Sequence, residues 1–410
     1  MTRAAPVADR LAATVRRVVG DDLPVRIRAW DGSEAGPDAG APVVVLRNRR
    51  ALRRLLWRPD EVGLARAYVT GDLDVDGDLD DGFRRIWEFA RRRGSGVHVS
   101  ARDRVGAVGD ALRLGVVGPP PRPPASEAKI RGRLHSRARD RAVIAHHYDL
   151  SNDFYALVLD EHMAYSCAYY PPGAGDLSLA DAQRAKLDLV CGKLALEPGM
   201  RLLDVGCGWG SLSIHAASAY GARVTGITLS REQLEFARKR AADAGVSDLI
   251  DFRLQDYRDL ADGPYDAAAS LEMGEHVGDA HYPVFVATVA RMLAPGGAFL
   301  VQQMSRAAGA APGGGPFIEA YIAPDMHMRP LGETVGLLEA GGFEIRHVEA
   351  MREHYVRTGA AWRANLEAHW AEIVALVGEE VARVWRLYLV GGSLAFEERR
   401  MGVDQILART

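Results

Sequence analysis

The ten residues Arg201–Gly210, RLLDVGCGWG, constrain this chain more than any other stretch. An apolar run, Leu202, Leu203 and Val205, ends in a turn carrying Gly206, Gly208 and Gly210, and the adjoining SLSIHAASAY has helical character. A buried parallel strand that feeds a glycine turn and then a helix lets backbone approach a ligand closely at the carboxyl end of a sheet. Alone, the pattern also fits a tight strand-to-helix connection with no ligand. Its spacing, G-x-G-x-G, differs from the dinucleotide fingerprint G-x-G-x-x-G, which turns the expectation away from NAD.

Beyond the glycine turn, strand and helix patterns alternate regularly. Strands are expected over residues 222–230, 249–256, 264–272, 297–305 and 343–351. REQLEFARKRAADAG reads as a helix ending at Gly245, and AHYPVFVATVARML as one stopped by Ala-Pro-Gly-Gly. Such alternation implies a parallel sheet covered on both faces, with a ligand across the strand ends near the first glycine turn. A nucleotide-like cofactor is implied, and its identity is left open at this point.

At 410 residues the chain is long enough for two domains and a substantial core. No run of about 18 or more apolar residues occurs, so no membrane-spanning helix is expected. Residues 1–17 lack an apolar signal core and a cleavage pattern, which speaks against export. Cys167, Cys191 and Cys207 cannot all pair and show no C-x-x-C spacing. A reduced, cytoplasmic setting without a metal site fits them.

Charge is uneven along the chain. Residues 1–150 hold 28 Lys and Arg against 20 Asp and Glu, whereas the whole chain holds 51 against 54. The surplus gathers in Arg122, Lys129, Arg131, Arg133, Arg137, Arg139 and Arg141, just after the stiff run GPPPRPP. A solvated linker explains such a run as well as attraction to anionic lipid head groups does. Nucleic acid is a further alternative, though few aromatics interleave with the run, which argues against a stacking platform for single strands, and no nucleic-acid partner is expected. The expected organisation is a small α+β domain over 1–118, a linker over 119–142 and the main domain over 143–410. The acidic turn DLDVDGDLDD lacks the twelve-residue register and terminal Glu of a calcium loop.

Two further segments carry chemistry. Residues 146–170, HHYDLSNDFYALVLDEHMAYSCAYY, are well placed to form a lid over a cofactor. LEMGEHVGDAHY, 271–282, ends the fourth strand where an active-site carboxylate would project over the strand ends. Taken singly, Cys167 reads as a small buried residue, Glu275 as a helix cap and the tyrosines as core; their order around the glycine turn is what favours a site.

HYDLSND, YSCAYY, AQRAKLD, LDVGCGWGSL, GITLSREQ, LQDYRDL and EMGEHVG together resemble the cyclopropane-fatty-acid synthase and mycolic-acid methyltransferase family, from about Val143 to the C-terminus. The resemblance implies an α/β fold: a Rossmann-like, S-adenosylmethionine-dependent methyltransferase domain beside the small α+β domain. It implies methyl transfer to the cis double bond of an acyl chain on an intact phospholipid. In the family a bound bicarbonate acts as base, held by groups matching Cys167, Glu275 and Tyr355, with Cys167 making no covalent intermediate. Where the cyclopropane-forming enzymes carry a histidine that helps hold it, this chain has Gln302, which can donate an amide hydrogen bond but cannot ionise.

PFIEAYIAPDMHMRPLGETV and the QQMS run most resemble the actinobacterial branch that converts oleoyl chains to 10-methylene products, with cyclopropane synthesis as the alternative. On the same resemblance, Gly206 and Gly208 would meet the amino-acid end of S-adenosylmethionine, Thr228 and Gln233 the ribose, and Gln255 and Asp256 the adenine. Tyr148 and Ser166 would close the lid, and Asp204 would orient the glycine turn. The expected partners are an anionic phospholipid surface at the inner face of the cell membrane and a separate reductase; a homodimer is left open. A methyltransferase for a soluble small molecule or RNA, and a non-catalytic cofactor-binding or membrane-scaffolding protein, are the rivals that fold alone does not remove.

Overall fold

The computed structural model describes residues 5–19, 23–37, 40–93, 109–128, 136–137, 139–140 and 151–410. Its contacts divide the chain into two units, one of residues 1–127 and 378–394, the other of 128–377 and 395–410.

The smaller unit holds a four-stranded sheet, β1 (Arg26–Arg28), β2 (Glu34–Ala35), β3 (Val43–Leu46) and β4 (Leu73–Asp76), in the order β2-β1-β3-β4. The acidic stretch expected as a turn contains β4, paired antiparallel to β3. Its carboxylates are spent on arginines: Asp72 on Arg50 and Arg54, Asp74 on Arg47 and Arg383, Asp76 on Arg28. This unit does not end at residue 118. Arg54 donates to the carbonyl of Arg122 at 2.9 Å and Arg66 pairs with Glu127 at 2.7 Å, so the first part of the proline-rich run is fastened here. Residues 378–394 belong here too; the Arg383 guanidinium lies 4.6 Å from the Tyr68 ring centroid. Nothing in that helix's own pattern announces its return.

The larger unit is built on a seven-stranded sheet of order β10-β11-β9-β8-β5-β6-β7. Its strands are β5 (Arg201–Val205), β6 (Arg223–Thr228), β7 (Ile250–Leu254), β8 (Tyr265–Leu271), β9 (Leu293–Ser305), β10 (Glu344–Ala350) and β11 (Gly402–Arg409). The five from β5 to β9 are parallel, as the alternation predicts. The sheet as a whole is mixed, because β11 enters antiparallel between β9 and β10. β9 begins at Leu293, ahead of the expected Gly297.

Successive residues of the central strands feed opposite faces, the period of a pleated strand. Leu202, Ala267, Ala269 and Leu300 pack on one side; Leu203, Ala268, Phe299 and Val301 pack on the other. Both faces are therefore dry, and the strands read as near-continuous apolar runs. The order reverses at β5, whose neighbours are β6 and β8, so the crevice for a ligand opens beyond the carboxyl ends of these strands. No helix among the described residues is long and apolar enough to cross a membrane.

Candidate active site

The glycine turn stands at that crevice. Gly206, Gly208 and Gly210 have φ of 86°, 53° and 82°, where side chains are strained. A Cβ on Gly206 would lie 2.9 Å from Met273 Cγ, and one on Gly210 2.7 Å from Phe252 Cζ. At Gly208 the nearest heavy atom would be Gln233 Nε2 at 4.0 Å, so this residue borders open space. Among the expected cofactor residues, Ser166, Asp204, Gly206 and Gly208 line one cavity, together with Thr228, Gln233, Gln255 and Asp256. Tyr148 lies outside the described residues.

Local bonds fix most of these groups. Asp204 accepts from Ser213 Oγ at 2.7 Å, and burial pushes its carboxyl up to about 6. Thr228 Oγ1 donates to Gln233 Oε1 at 2.9 Å, leaving the Gln233 amide nitrogen toward Gly208. Asp256 accepts from the Arg258 backbone and guanidinium; burial opposes its charge, but those donors hold it below the usual carboxylate range. Arg258 also pairs with Asp140, another residue of the cavity wall.

Segment 164–168 closes one side of the cavity from above the helix Leu179–Lys193. Gln183 and Lys186 lie three apart on that helix and so share a face. Gln183 Nε2 donates to the carbonyls of Ala164 and Ser166, and Lys186 Nζ donates to Ser166 Oγ at 2.8 Å. Lys186 is buried and lines the cavity, and burial lowers its pKa. Both residues sit in the AQRAKLD motif, yet sequence reasoning gave neither a role.

The expected reaction centre comes together, with one change of carboxylate. Glu272 accepts from the Cys167 backbone N–H at 2.7 Å, from Gln302 Nε2 at 2.8 Å and from the Tyr355 hydroxyl at 2.6 Å. It also lines the cofactor cavity, which Glu275 does not. Glu275, expected at this position, is buried beneath, and neither of its carboxylate oxygens has a hydrogen-bond partner among the described residues. The reason is backbone geometry. Glu272 has φ of 54°, a left-handed turn at the end of β8, and its N–H donates to the Gln302 carbonyl at 2.6 Å. Strain of this kind, costing about 1–3 kcal/mol, gathers at functional sites. EMGEH offers two glutamates, and only a non-glycine residue in that conformation marks which one faces the cavity.

The electrostatics separate the two. Burial raises both, and the three donors on Glu272 favour its anion. Glu275 lacks such side-chain donors; burial first and the Glu272 charge second outweigh the nearby backbone N–H groups of Glu275 and Met304 and push it up to about 8. Burial thus favours the neutral form of Glu275, while the donors on Glu272 favour its charge. The Cys167 thiol points to the carbonyls of Ala168 and Met351, and burial raises it well above the ordinary thiol range, so it is no nucleophile. Gln302 is held at both ends, since Gln405 Nε2 donates to its Oε1 at 2.8 Å. Aromatic rings continue outward: Tyr355 stacks on Phe396 at 4.3 Å and meets Trp362 at 5.9 Å, which meets Tyr165 of the cavity wall at 5.2 Å.

The donor set expected for bicarbonate does not fit a second anion. Cys167 N–H, Gln302 and Tyr355 all point at Glu272, whose carboxylate fills the position such an ion would need. Of the basic run expected to meet lipid, Arg137 is paired with Asp259 at 2.8 Å and Arg139 with Asp325 at 2.5 Å. Lys129, Arg131, Arg133 and Arg141 lie outside the described residues.

Comparison with known proteins agrees with this geometry. The family described as mycolic acid cyclopropane synthetase matches residues 135–406. A probable fatty acid methyltransferase of Mycobacterium tuberculosis is 38% identical over 393 residues, covering 94% of this chain and 91% of its own length. The cyclopropane-fatty-acyl-phospholipid synthase of Escherichia coli is 36% identical over 274 residues, covering 67% of this chain and 69% of its own. Among solved structures, mycolic acid cyclopropane synthase CmaA1 with bound SAH and CTAB superposes with a TM-score of 0.62 at 32% identity, covering 66% of this chain and 98% of its own. The glycine turn, the strand-end cavity and these matches lead to one conclusion: the chain belongs to the mycolic acid cyclopropane synthetase family and is an S-adenosylmethionine-dependent methyltransferase.

Proposed function

We propose that the protein methylates the cis double bond of unsaturated acyl chains on phospholipids, at C10 of oleoyl chains, and releases the 10-methylene product. The observation that carries the reading is a cavity that runs from the glycine turn to the Glu272 carboxylate, walled in part by Tyr165, Trp209 and Tyr257, with the Cys167 thiol turned to backbone carbonyls. S-Adenosylmethionine, when bound, supplies an electrophilic methyl group. An alkene is a poor nucleophile, so the site must hold it in line and dry. Tyr165, Trp209 and Tyr257 line the cavity and supply aromatic surface for the cation that methylation leaves on the chain. Cys167, with its thiol turned to backbone carbonyls and raised well above the ordinary thiol range by burial, is not available to trap that cation.

The preference for the methylene product is supported by Gln302, whose amide cannot ionise, and by the relative named as a fatty acid methyltransferase that aligns over nearly the whole chain. The cyclopropane reading is favoured by the match to the Escherichia coli synthase, which covers about two thirds of this chain. The methylene product would then need a separate reductase to become a saturated methyl branch. A phospholipid surface as the place of action is supported in the smaller unit by the exposed Leu56 and Trp57, which end the arginine-rich helix Arg49–Trp57. Gas chromatography with mass spectrometry of methyl esters from a host expressing the protein without a reductase tests the reading. The 10-methylene ester is expected; a dominant cyclopropane ester replaces the product assignment, and unmodified lipid removes the acyl-chain reading.

A further inference from the structure

We propose that Glu272 is itself the base of the reaction, so that this enzyme works without the bicarbonate its relatives are expected to use. The inference rests on the acyl-chain reading and deepens it. Glu272 borders the cofactor cavity at the end of β8, and three donors from three separate segments converge on it: Cys167 N–H, Gln302 Nε2 and Tyr355 OH. Those are the donors that would otherwise hold a free anion. A second anion there would face the Glu272 carboxylate, at which these three donors already point. The left-handed φ of Glu272 has no evident use in packing, and it aims the carboxylate into this cluster.

The step balances without any further reactant. The π electrons of the alkene form the bond to the methyl carbon as the methyl–sulfur bond breaks, and the sulfur keeps that electron pair. A hydride moves from C10 to C9, which places the cation on C10. Glu272 then takes a proton from the new methyl group, and the C–H electrons close the exocyclic double bond. The carboxylic acid so formed releases the proton after the product leaves.

The full chain is assayed on oleoyl-phospholipid vesicles with S-adenosylmethionine, in carbon-dioxide-depleted buffer and in bicarbonate-supplemented buffer. The wild type is expected to run equally fast in both. Glu272→Gln keeps the shape and is expected to lose about a hundredfold or more in kcat, the scale of a missing general base, while cofactor affinity by calorimetry stays unchanged. Glu272→Gly relieves the left-handed strain and empties the donor cluster; it is expected to be inactive in depleted buffer and to regain rate with added bicarbonate or formate. A wild type that slows markedly without bicarbonate, or a Glu272→Gln enzyme as fast as wild type, overturns the proposal. If Glu272→Gly does not fold, the glutamine variant and the buffer comparison decide it. A wild type that binds cofactor yet methylates no acyl chain in either buffer removes the acyl-chain reading, and this inference with it.

Discussion

Two acidic stretches in this molecule meet opposite fates. At β4, Asp72 is only 1% exposed, yet it accepts from Asn48, Arg50, Arg54 and Thr70. At the end of β8, Glu275 is equally buried at 1% and its carboxylate has no hydrogen-bond partner among the described residues, while Glu272 has donors but no ion pair among them. A carboxylate meant only to hold the fold is answered by guanidinium groups and stays charged. One meant to take a proton is left to uncharged donors in a dry site. Asp72 is buried and Glu272 half-buried, and the identity of the donors separates them further.

The largest effect expected from breaking this contrast is on stability. Asp72→Ala strands the buried Arg54 guanidinium and should cost about 3–5 kcal/mol in denaturant unfolding. Because its partners depress the Asp72 pKa against the opposing effect of burial, that cost is present above the unfolded value near pH 4 and fades as pH falls through the folded value. An unchanged denaturation midpoint at pH 7 would show that the arginine cluster is ornamental.

Glu275→Gln should act with the opposite sign. With its folded pKa raised to about 8, the native state holds a proton that the unfolded chain releases near pH 4.5. Stability therefore falls as pH rises through that window, by at most about 1.4 kcal/mol per unit from this group. The glutamine variant should flatten the slope between pH 5.5 and 8 in paired denaturation curves. A slope equal to that of wild type would mean that Glu275 is charged in the folded protein.

Lys186→Met sharpens the contrast from the cation side. The ammonium favours the Glu272 anion from a distance, so its loss should move the acid limb of the kcat profile upward by about one pH unit. A lower rate with an unmoved limb would assign Lys186 to holding Ser166 alone. The smallest expected effect is that of Gln302→His. An imidazole can donate to Glu272 and accept from Gln405 in one tautomer, so the enzyme should stay active and divert a minor share of product to the cyclopropane. Chromatography of the esters reads the share, and no ring at all would free Gln302 from any part in product choice.

Much of the larger unit is legible in residue patterns, because a sheet buried on both faces writes itself as apolar runs between glycine turns. Residues 202–205 and 267–269 are such runs, and the cofactor wall follows from where they end. β11 leaves no such mark, because it comes after a long helical stretch and pairs with strands far upstream. Residues 378–394 are hidden for a like reason: what joins them to the smaller unit is an ion pair to Asp74 across 309 positions, which no local pattern records. Cys167, Gln302 and Tyr355 are reached only through the family resemblance, and the carboxylate joining them lies three residues earlier than the expected Glu275. Glu272 and Glu275 are chemically alike; a backbone dihedral separates them, and glutamate does not advertise a positive φ as glycine does.

The amide link from Gln405 to Gln302 spans 103 positions in the chain. Contacts of such separation form late in folding, since a long loop must close before they contribute. The strands around the glycine turn can pair among themselves over far shorter distances. A nascent chain is therefore expected to acquire its cofactor wall first and its ordered base last. During synthesis the methyl donor can be held before any acyl chain can be modified, and a polypeptide cut short of β11 would be a binder of the donor with no finished chemistry.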